Sequence, residues 1–155
     1  MNSDARHYWL MKSEPEAFSI DDLKRKRREA WDGVRNYQAR NYMRDGMHPG
    51  DRVFFYHSNC AVPGIVGVAE VATDAYPDPS QFDPKSTYFD PGSPRENPRW
   101  MLVDVKFVKK LKRTISLDEL KRHQALEAMP LLRKGNRLSV MPVGAAEWAY
   151  ILDLE

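Results

Sequence analysis

Asp51-Arg52-Val53-Phe54-Phe55-Tyr56-His57-Ser58 is the stretch on which the fold turns. It is short, aromatic and apolar at odd and even positions alike, so both faces of the strand it forms must be covered. A Pro63-Gly64 turn follows, then a second apolar run over residues 65–72. Two strands joined by so short a connection favour antiparallel pairing and a curled sheet over a doubly wound one. Gly67 within the second run predicts a bulge or a close backbone approach.

Toward the N-terminus, His7-Tyr8-Trp9-Leu10-Met11-Lys12-Ser13 reads as a first strand, stopped at Glu14-Pro15. The next helix is announced by its cap: Ser19 as N-cap, Asp22 bonding back three residues on, and Phe18 with Leu23 as the apolar staple. Asp21 and Asp22 suit the positive end of its dipole, and the run Lys24-Arg25-Lys26-Arg27-Arg28 lies toward the negative end. A second helix is predicted from Asn36 to Gly46.

Toward the C-terminus, residues 73–99 are rich in proline, aspartate and serine but carry Tyr76, Phe82, Tyr88 and Phe89. Four rings predict an ordered loop pinned to the body by them. A strand resumes over 100–108, with Met101, Val103, Val105 and Phe107 on one face and Asp104 and Lys106 on the other. Ser116 and Glu119 predict a second capping box, staple included. Helical turns over 125–133, a strand over 137–141 and a helix face of Trp148, Ile151 and Leu152 complete the chain.

A chain of 155 residues, 42% apolar and 30% charged, is one ordinary globular domain, which excludes disorder. A net charge of +2 leaves nucleic-acid binding to depend on where charges sit. Cys60 is the lone cysteine, so no intramolecular disulfide is possible, and the four histidines show no metal-ligand spacing. No metal and no cofactor are expected. No membrane-spanning run and no secretion signal is seen, so the expectation is an intracellular, cytoplasmic protein (nucleoid-associated in a bacterium, nuclear in a eukaryote) that stays off membranes as a monomer.

Trp31-Asp32-Gly33-Val34-Arg35-Asn36-Tyr37-Gln38-Ala39-Arg40-Asn41 fits neither a surface helix nor a core one. Aromatic planes supply stacking surface, while amides and guanidinium groups read a heterocycle edge or grip phosphate. The stretch reads as part of a binding site.

Together with Tyr8-Trp9-Leu10-Met11-Lys12-Ser13-Glu14-Pro15, Phe54-Phe55-Tyr56-His57-Ser58-Asn59, Pro63-Gly64-Ile65-Val66-Gly67 and Arg137-Leu138-Ser139-Val140-Met141-Pro142-Val143, this stretch resembles the EVE domain of the PUA-like superfamily. The match spans almost the whole chain in family order. It implies an α+β fold: one domain over 1–155, a PUA-like pseudo-barrel of about five mostly antiparallel strands with peripheral helices. It also implies a pocket. The related YTH domains hold a methylated adenine of RNA in an aromatic cage, and EVE domains are thought to read modified DNA bases, chiefly modified cytosines.

The expected partner is therefore a nucleic acid carrying a modified base, DNA favoured over RNA, with the base flipped into a ring-walled cavity beside Arg35 and Asn36. Trp31 is the expected stacking wall and Trp100 a cover. Lys12, Ser13 and Glu14 form the rim, and Val34, Arg35, Asn36, Gln38 and Asn41 face the base edge. Tyr56, His57 and Ser58 line the floor, and the family picture adds Leu138 and Ser139. Phosphate contacts fall to Arg35, Arg40, Lys24 and Arg27; five consecutive basic residues wrap a whole helix, so at least three of them belong to a solvated face. Each position also has a plainer reading: Trp31 as an anchor of the first helix, Asn36 as a helix cap, His57 as a satisfied structural group. No residue is assigned to catalysis. Three rivals remain: an RNA-binding PUA-like module, an ASCH-like hydrolase or nuclease built on Lys12, Glu14 and His57, and a sensor of a free nucleoside.

Overall fold

The computed structural model describes residues 6–155. Among these residues, eight strands and four α-helices alternate along the chain, and six of the strands form one sheet. The strand predicted first is β1 (Tyr8–Ser13), and the stretch that decides the fold is β3 (Arg52–His57). β4 (Gly64–Val71) returns antiparallel beside β3 across the Pro63-Gly64 turn, as the short connection predicts. β1, however, pairs parallel with β3, Tyr8 opposite Arg52 through Ser13 opposite His57. The full order is β2 (Arg28–Ala30), β7 (Asp104–Ser116), β4, β3, β1 and β8 (Val140–Val143), every pair but β1–β3 being antiparallel, and the sheet curls into a half-barrel. β5 (Tyr76–Pro77) and β6 (Met101–Leu102) form a small separate ribbon.

Side-chain alternation gives the sheet two cores. Trp9 and Met11 of β1 and Val53 and Phe55 of β3 face one way, joining Ile20 and Leu23 of α1 (Ile20–Lys26) and Ala39 of α2 (Tyr37–Asn41). Leu10, Phe54 and Tyr56 face the other way, onto Leu120 of α3 (Leu117–Lys121) and Trp148 and Ile151 of α4 (Ala145–Leu152). β3 is covered on both sides, as its apolar run requires. Burying one such ring or aliphatic chain contributes about 1.5–3 kcal/mol, and Phe54 and Phe55 are both fully buried.

Gly67 shows both features expected of it. Register slips between Ile65 and Gly67, so Val66 faces the first core while Val68, two residues on, faces the second. A Cβ at Gly67 would lie 2.4 Å from Ile20 Cδ1 and 2.9 Å from the Lys109 carbonyl oxygen.

Other elements depart from their predicted bounds for physical reasons. α2 ends at Asn41, and Tyr42–Gly46 continues as a π-turn in which the Met47 N–H donates to the Tyr42 carbonyl. There Gly46 lies against the Trp9 indole, where a Cβ would approach Cη2 to 2.7 Å. The Ser19 capping box forms on both sides, whereas the second is half made. Ser116 caps the Glu119 N–H, but the Glu119 carboxylate turns to Arg113. The helical turns at Gln124–Leu126 and Pro130–Leu132 are 3₁₀, β7 runs on past 108 to Ser116, and the last strand lies a few residues later than its predicted 137–141.

The 73–99 loop is ordered; Phe89 is exposed, whereas Tyr88, though partly exposed, lays its ring against Gly33 and Arg35. A buried amide holds the loop as well. Gln81 donates to the Asp78 and Trp100 carbonyls and accepts from Ser93 Oγ and the Trp100 N–H.

Candidate nucleic-acid interface

Because β1 and β3 are parallel, their C-terminal ends finish side by side, Lys12 opposite Tyr56 and Ser13 opposite His57. The Ser58 N–H donates to the Ser13 carbonyl at 3.0 Å, and the Lys12 N–H donates to the Ser139 carbonyl at 2.8 Å. Ser13 Oγ donates to the Phe18 carbonyl, tying the strand end to the turn that opens α1. Lys12, Ser13, His57, Ser58 and Ser139 are thus one hydrogen-bonded edge, with Glu14 exposed at its rim and Leu138 half-buried beside Ser139.

Charge at this edge is held in particular states. The Lys12 ammonium lies 5.7 Å from the centroid of the Tyr56 ring, and burial lowers its pKa. The Tyr56 phenol is pushed up to about 12, by burial first and then by Cys60 and Asp118. His57 Nε2 accepts the Ile20 N–H at 3.1 Å, which satisfies an orphan donor of α1 and places the ring proton on Nδ1. Burial lowers the His57 pKa, with Lys110 acting in the same sense and Asp21 opposing.

Trp31 reaches this edge through a chain of rings. Its indole meets Phe55 edge-on at 5.6 Å and Phe18 at 6.4 Å, and Phe55 in turn meets His57 at 5.7 Å. The Trp31 N–H donates to the Val103 carbonyl. Trp31 is 8% exposed and Val34 9%, so the expected wall is largely covered by neighbouring rings. A cleft of about 250 Å³ exists, but it opens on the opposite face, among Tyr8, Arg52, Val68 and Trp148.

The rest of the aromatic–amide stretch faces the 73–99 loop. Arg35 commits all five N–H donors: to Tyr88 O twice, to Val34 O, to Asp78 Oδ2 and to Ser80 Oγ. A phosphate or base edge received at Arg35 would therefore have to displace one of these internal bonds. No donor is left over, its charge is opposed by buried Asp78, and the Tyr88 ring lies on Gly33. Burial would raise the Asp78 pKa, but donors from Ser80, Gly33 and Arg35 outweigh it and the net shift is downward.

Asn36 accepts the Ala39 N–H and is the α2 cap. Arg40 donates to Asn41 Oδ1 and to the Arg99 carbonyl, leaving Asn41 engaged on that side, while exposed Gln38 reaches the Tyr42 hydroxyl. Trp100 is buried, so as a cover it is itself covered. Tyr37 stacks on it at 4.8 Å, Arg35 lies 5.2 Å from its ring, and its Nε1 donates to Asp90. Arg40 over Tyr37 and Arg35 over Tyr88 extend this to a ladder of alternating cations and rings.

In the basic run, Arg25 pairs with Asp22, Lys26 with Glu29 and Arg28 with Asp104. Among the described residues Lys24 and Arg27 make no ion pair, and Arg27 holds a left-handed φ of 73° at the helix end.

Asp78, Gln81 and Tyr37 organise the region without having been expected to, whereas Tyr88 was expected as one of the rings that pin the loop. Of the three, only Tyr37 carried a signal, as the second ring of the aromatic–amide stretch. Buried Asp78 and Gln81 sit in a loop whose composition promises exposure.

A curled mixed sheet with helices on both faces defines a PUA-like domain. The chain belongs to the EVE domain family, whose profile matches residues 7–154. Thymocyte nuclear protein 1 of Rattus norvegicus is 49% identical over 168 residues, covering 96% of this chain and 74% of that protein. Uncharacterized protein C21.03c of Schizosaccharomyces pombe is 40% identical, covering 99% and 70%. The crystal structure of human THYN1 protein in complex with 5-methylcytosine-containing DNA superposes with a TM-score of 0.89 at 46% identity, covering 96% of each chain. An ASCH protein of Zymomonas mobilis, 12% identical with a TM-score of 0.56, shares the fold alone.

Proposed function

We propose that this chain reads a modified base in DNA, most simply a modified cytosine, rotated out of the duplex and received at the joined ends of β1 and β3 beside Trp31. The observation that carries this is the edge itself: Lys12, Ser13, His57, Ser58 and Ser139 lie within one hydrogen-bonded patch, with a ring chain leading from it to Trp31. The human relative bound to 5-methylcytosine-containing DNA supports the choice of ligand.

The energetics require the whole patch. Extruding a base costs a few kcal/mol, and stacking on one ring returns about 1–3 kcal/mol, so hydrogen bonds and phosphate contacts must supply the net affinity. Trp31 offers little free face as it stands, so stacking requires half-buried Phe18, 6.4 Å away, to shift aside. Lys24, Arg27, Arg35 and Arg40 are the phosphate contacts, Arg35 at the expense of one of its internal bonds. Discrimination rests on burying one methyl, worth about 0.8 kcal/mol or roughly a fourfold preference, and more where a shaped slot receives it.

The chain acts as a binding module. His57 uses Nε2 as a structural acceptor, and the neighbouring Tyr56 phenol stays neutral up to about 12, so neither serves as a general base for a nucleophile at neutral pH. The test is titration at fixed salt of matched oligonucleotides, carrying cytosine or 5-methylcytosine in DNA or RNA. Tighter binding of methylated DNA, weakened at least tenfold by Trp31→Ala, is expected. Equal affinity for the plain and methylated strands would overturn the reading, and turnover of the oligonucleotide lost in Lys12→Ala would replace it with an enzyme.

A further inference from the structure

Away from the strand-end site, the fold brings together a donor set that sequence spacing conceals. His7, His48 and Asp51 each offer one ligand atom, and these atoms lie within 4.8 Å of one another. His7 opens β1, while His48 and Asp51 belong to the turn that feeds β3, so parallel pairing of the two strands places their starts together. We propose that this cluster is a binding site for a borderline divalent transition ion of the zinc type.

Two imidazoles and one carboxylate suit zinc and its neighbours in the first transition row, and do not suit magnesium or calcium, which require oxygen donors. The carboxylate is built in. Asp51 is 3% exposed and is held by three donors: the His7 N–H on Oδ1 at 3.1 Å, and the His48 N–H and Trp9 Nε1–H on Oδ2, each at 3.0 Å. An ionised carboxylate offers about four lone-pair sites, so Oδ1, taking one donor, keeps accepting capacity. This is the outer-shell orientation that metal-ligating side chains receive. Both imidazoles are exposed, with ring centroids 6.4 Å apart. Bonds of about 2.0–2.2 Å in a tetrahedral site need ligand atoms roughly 3.3–3.6 Å apart, so the two exposed rings must turn toward the ion when it binds. Water completes the coordination from the open side.

The site stands at the opposite end of β1 from Ser13, about 17–20 Å away at the rise of a strand, so its ion does not touch the base-receiving edge. Its link to the rest of the molecule runs through Trp9, which bonds Asp51 and packs on Tyr42 and Gly46 of the π-turn. An ion here fastens the first strand to the segment that continues α2.

The test is calorimetric titration of the whole chain with zinc chloride, and separately with magnesium chloride, in metal-free buffer. Wild type is compared with His7→Ala and His48→Ala, whose folding is checked by circular dichroism; both side chains are exposed, so the fold should survive. One equivalent of zinc, at least tenfold weaker binding in each variant, a zinc-dependent rise in thermal midpoint confined to wild type, and no response to magnesium are expected. Absence of zinc uptake by wild type would overturn the assignment. Uptake unchanged in either variant would overturn it equally, by placing the ion on His57, His123 or Cys60. Neither outcome bears on base reading, which the oligonucleotide titration decides.

Discussion

His57 has a structural task besides its place at the proposed receiving edge. Its Nε2 accepts the first N–H of α1, so the folded state needs a neutral ring. Burial holds its pKa below the ordinary 6.5. The unfolded chain therefore binds the proton more readily. The stability that His57 contributes is complete above about pH 6.5 and is lost as pH falls through the folded-state pKa. His57→Gln keeps an acceptor for the Ile20 N–H and removes the titration. Urea midpoints measured from pH 8 to pH 5 should fall less steeply for the variant than for wild type; parallel slopes would show that the ring does not discriminate between protonation states. Arg35 likewise has internal partners. An arginine within an aromatic–amide stretch suggests a reader of phosphate, and here four of its five hydrogen bonds run to the 73–99 loop and the fifth to Val34.

Among elements, β4 is the one whose irregularity matters most. A regular strand would place Val66 and Val68 on one face, and the slip at Gly67 sends them to opposite cores. The same glycine admits the Ile20 side chain of α1, which is 2% exposed and cannot swing into solvent. Gly67→Ala should cost about 1–3 kcal/mol by overpacking, read as a lower urea midpoint at unchanged slope. Wild-type stability would mean that α1 lifts from the sheet without penalty. Gly67 was legible because a glycine inside an apolar run has few explanations. The Ser19 cap was legible because its chemistry lies within four residues. β2 was not. Arg28, Glu29 and Ala30 carry no apolar alternation, and they form an edge strand only because flanking backbone groups bond across, Trp31 to Val103 and Phe107 to Arg27. The charged half of β7 was missed likewise, since Lys109, Lys110, Lys112 and Arg113 lie mostly on its solvated side.

At the scale of the whole molecule, a formal charge of +2 spread over many ion pairs leaves little general attraction for a polyanion. The proposed binding to DNA must then rest on a few unpaired cations, among them Lys24 in the last turn of α1 and Arg27 at its C-terminal cap. Replacing both by alanine should weaken binding to plain and methylated duplexes alike. The plot of log affinity against log salt should flatten by about one unit for each phosphate that is no longer neutralised. An unaltered slope would remove α1 from the footprint. The two-sided core was legible in the sequence, because β3 is apolar at both parities. The buried polar groups that tie the turns and loops were not. Asp51, Asp78 and Gln81 are polar residues in turns and loops, and only the tertiary structure makes them interior.

The seam between Lys12 and Ser139 carries a kinetic consequence. β1 has as neighbours β3, which is paired in parallel, and β8, which follows nearly the entire intervening polypeptide, so neither pairing is local. Long-range closures are slow, because the loop entropy is spent before the stabilising interactions form. A nascent chain emerging from the ribosome can complete the β3–β4 hairpin early, yet the Lys12–Ser139 seam cannot close until β8 arrives, so this part of the proposed receiving edge forms late.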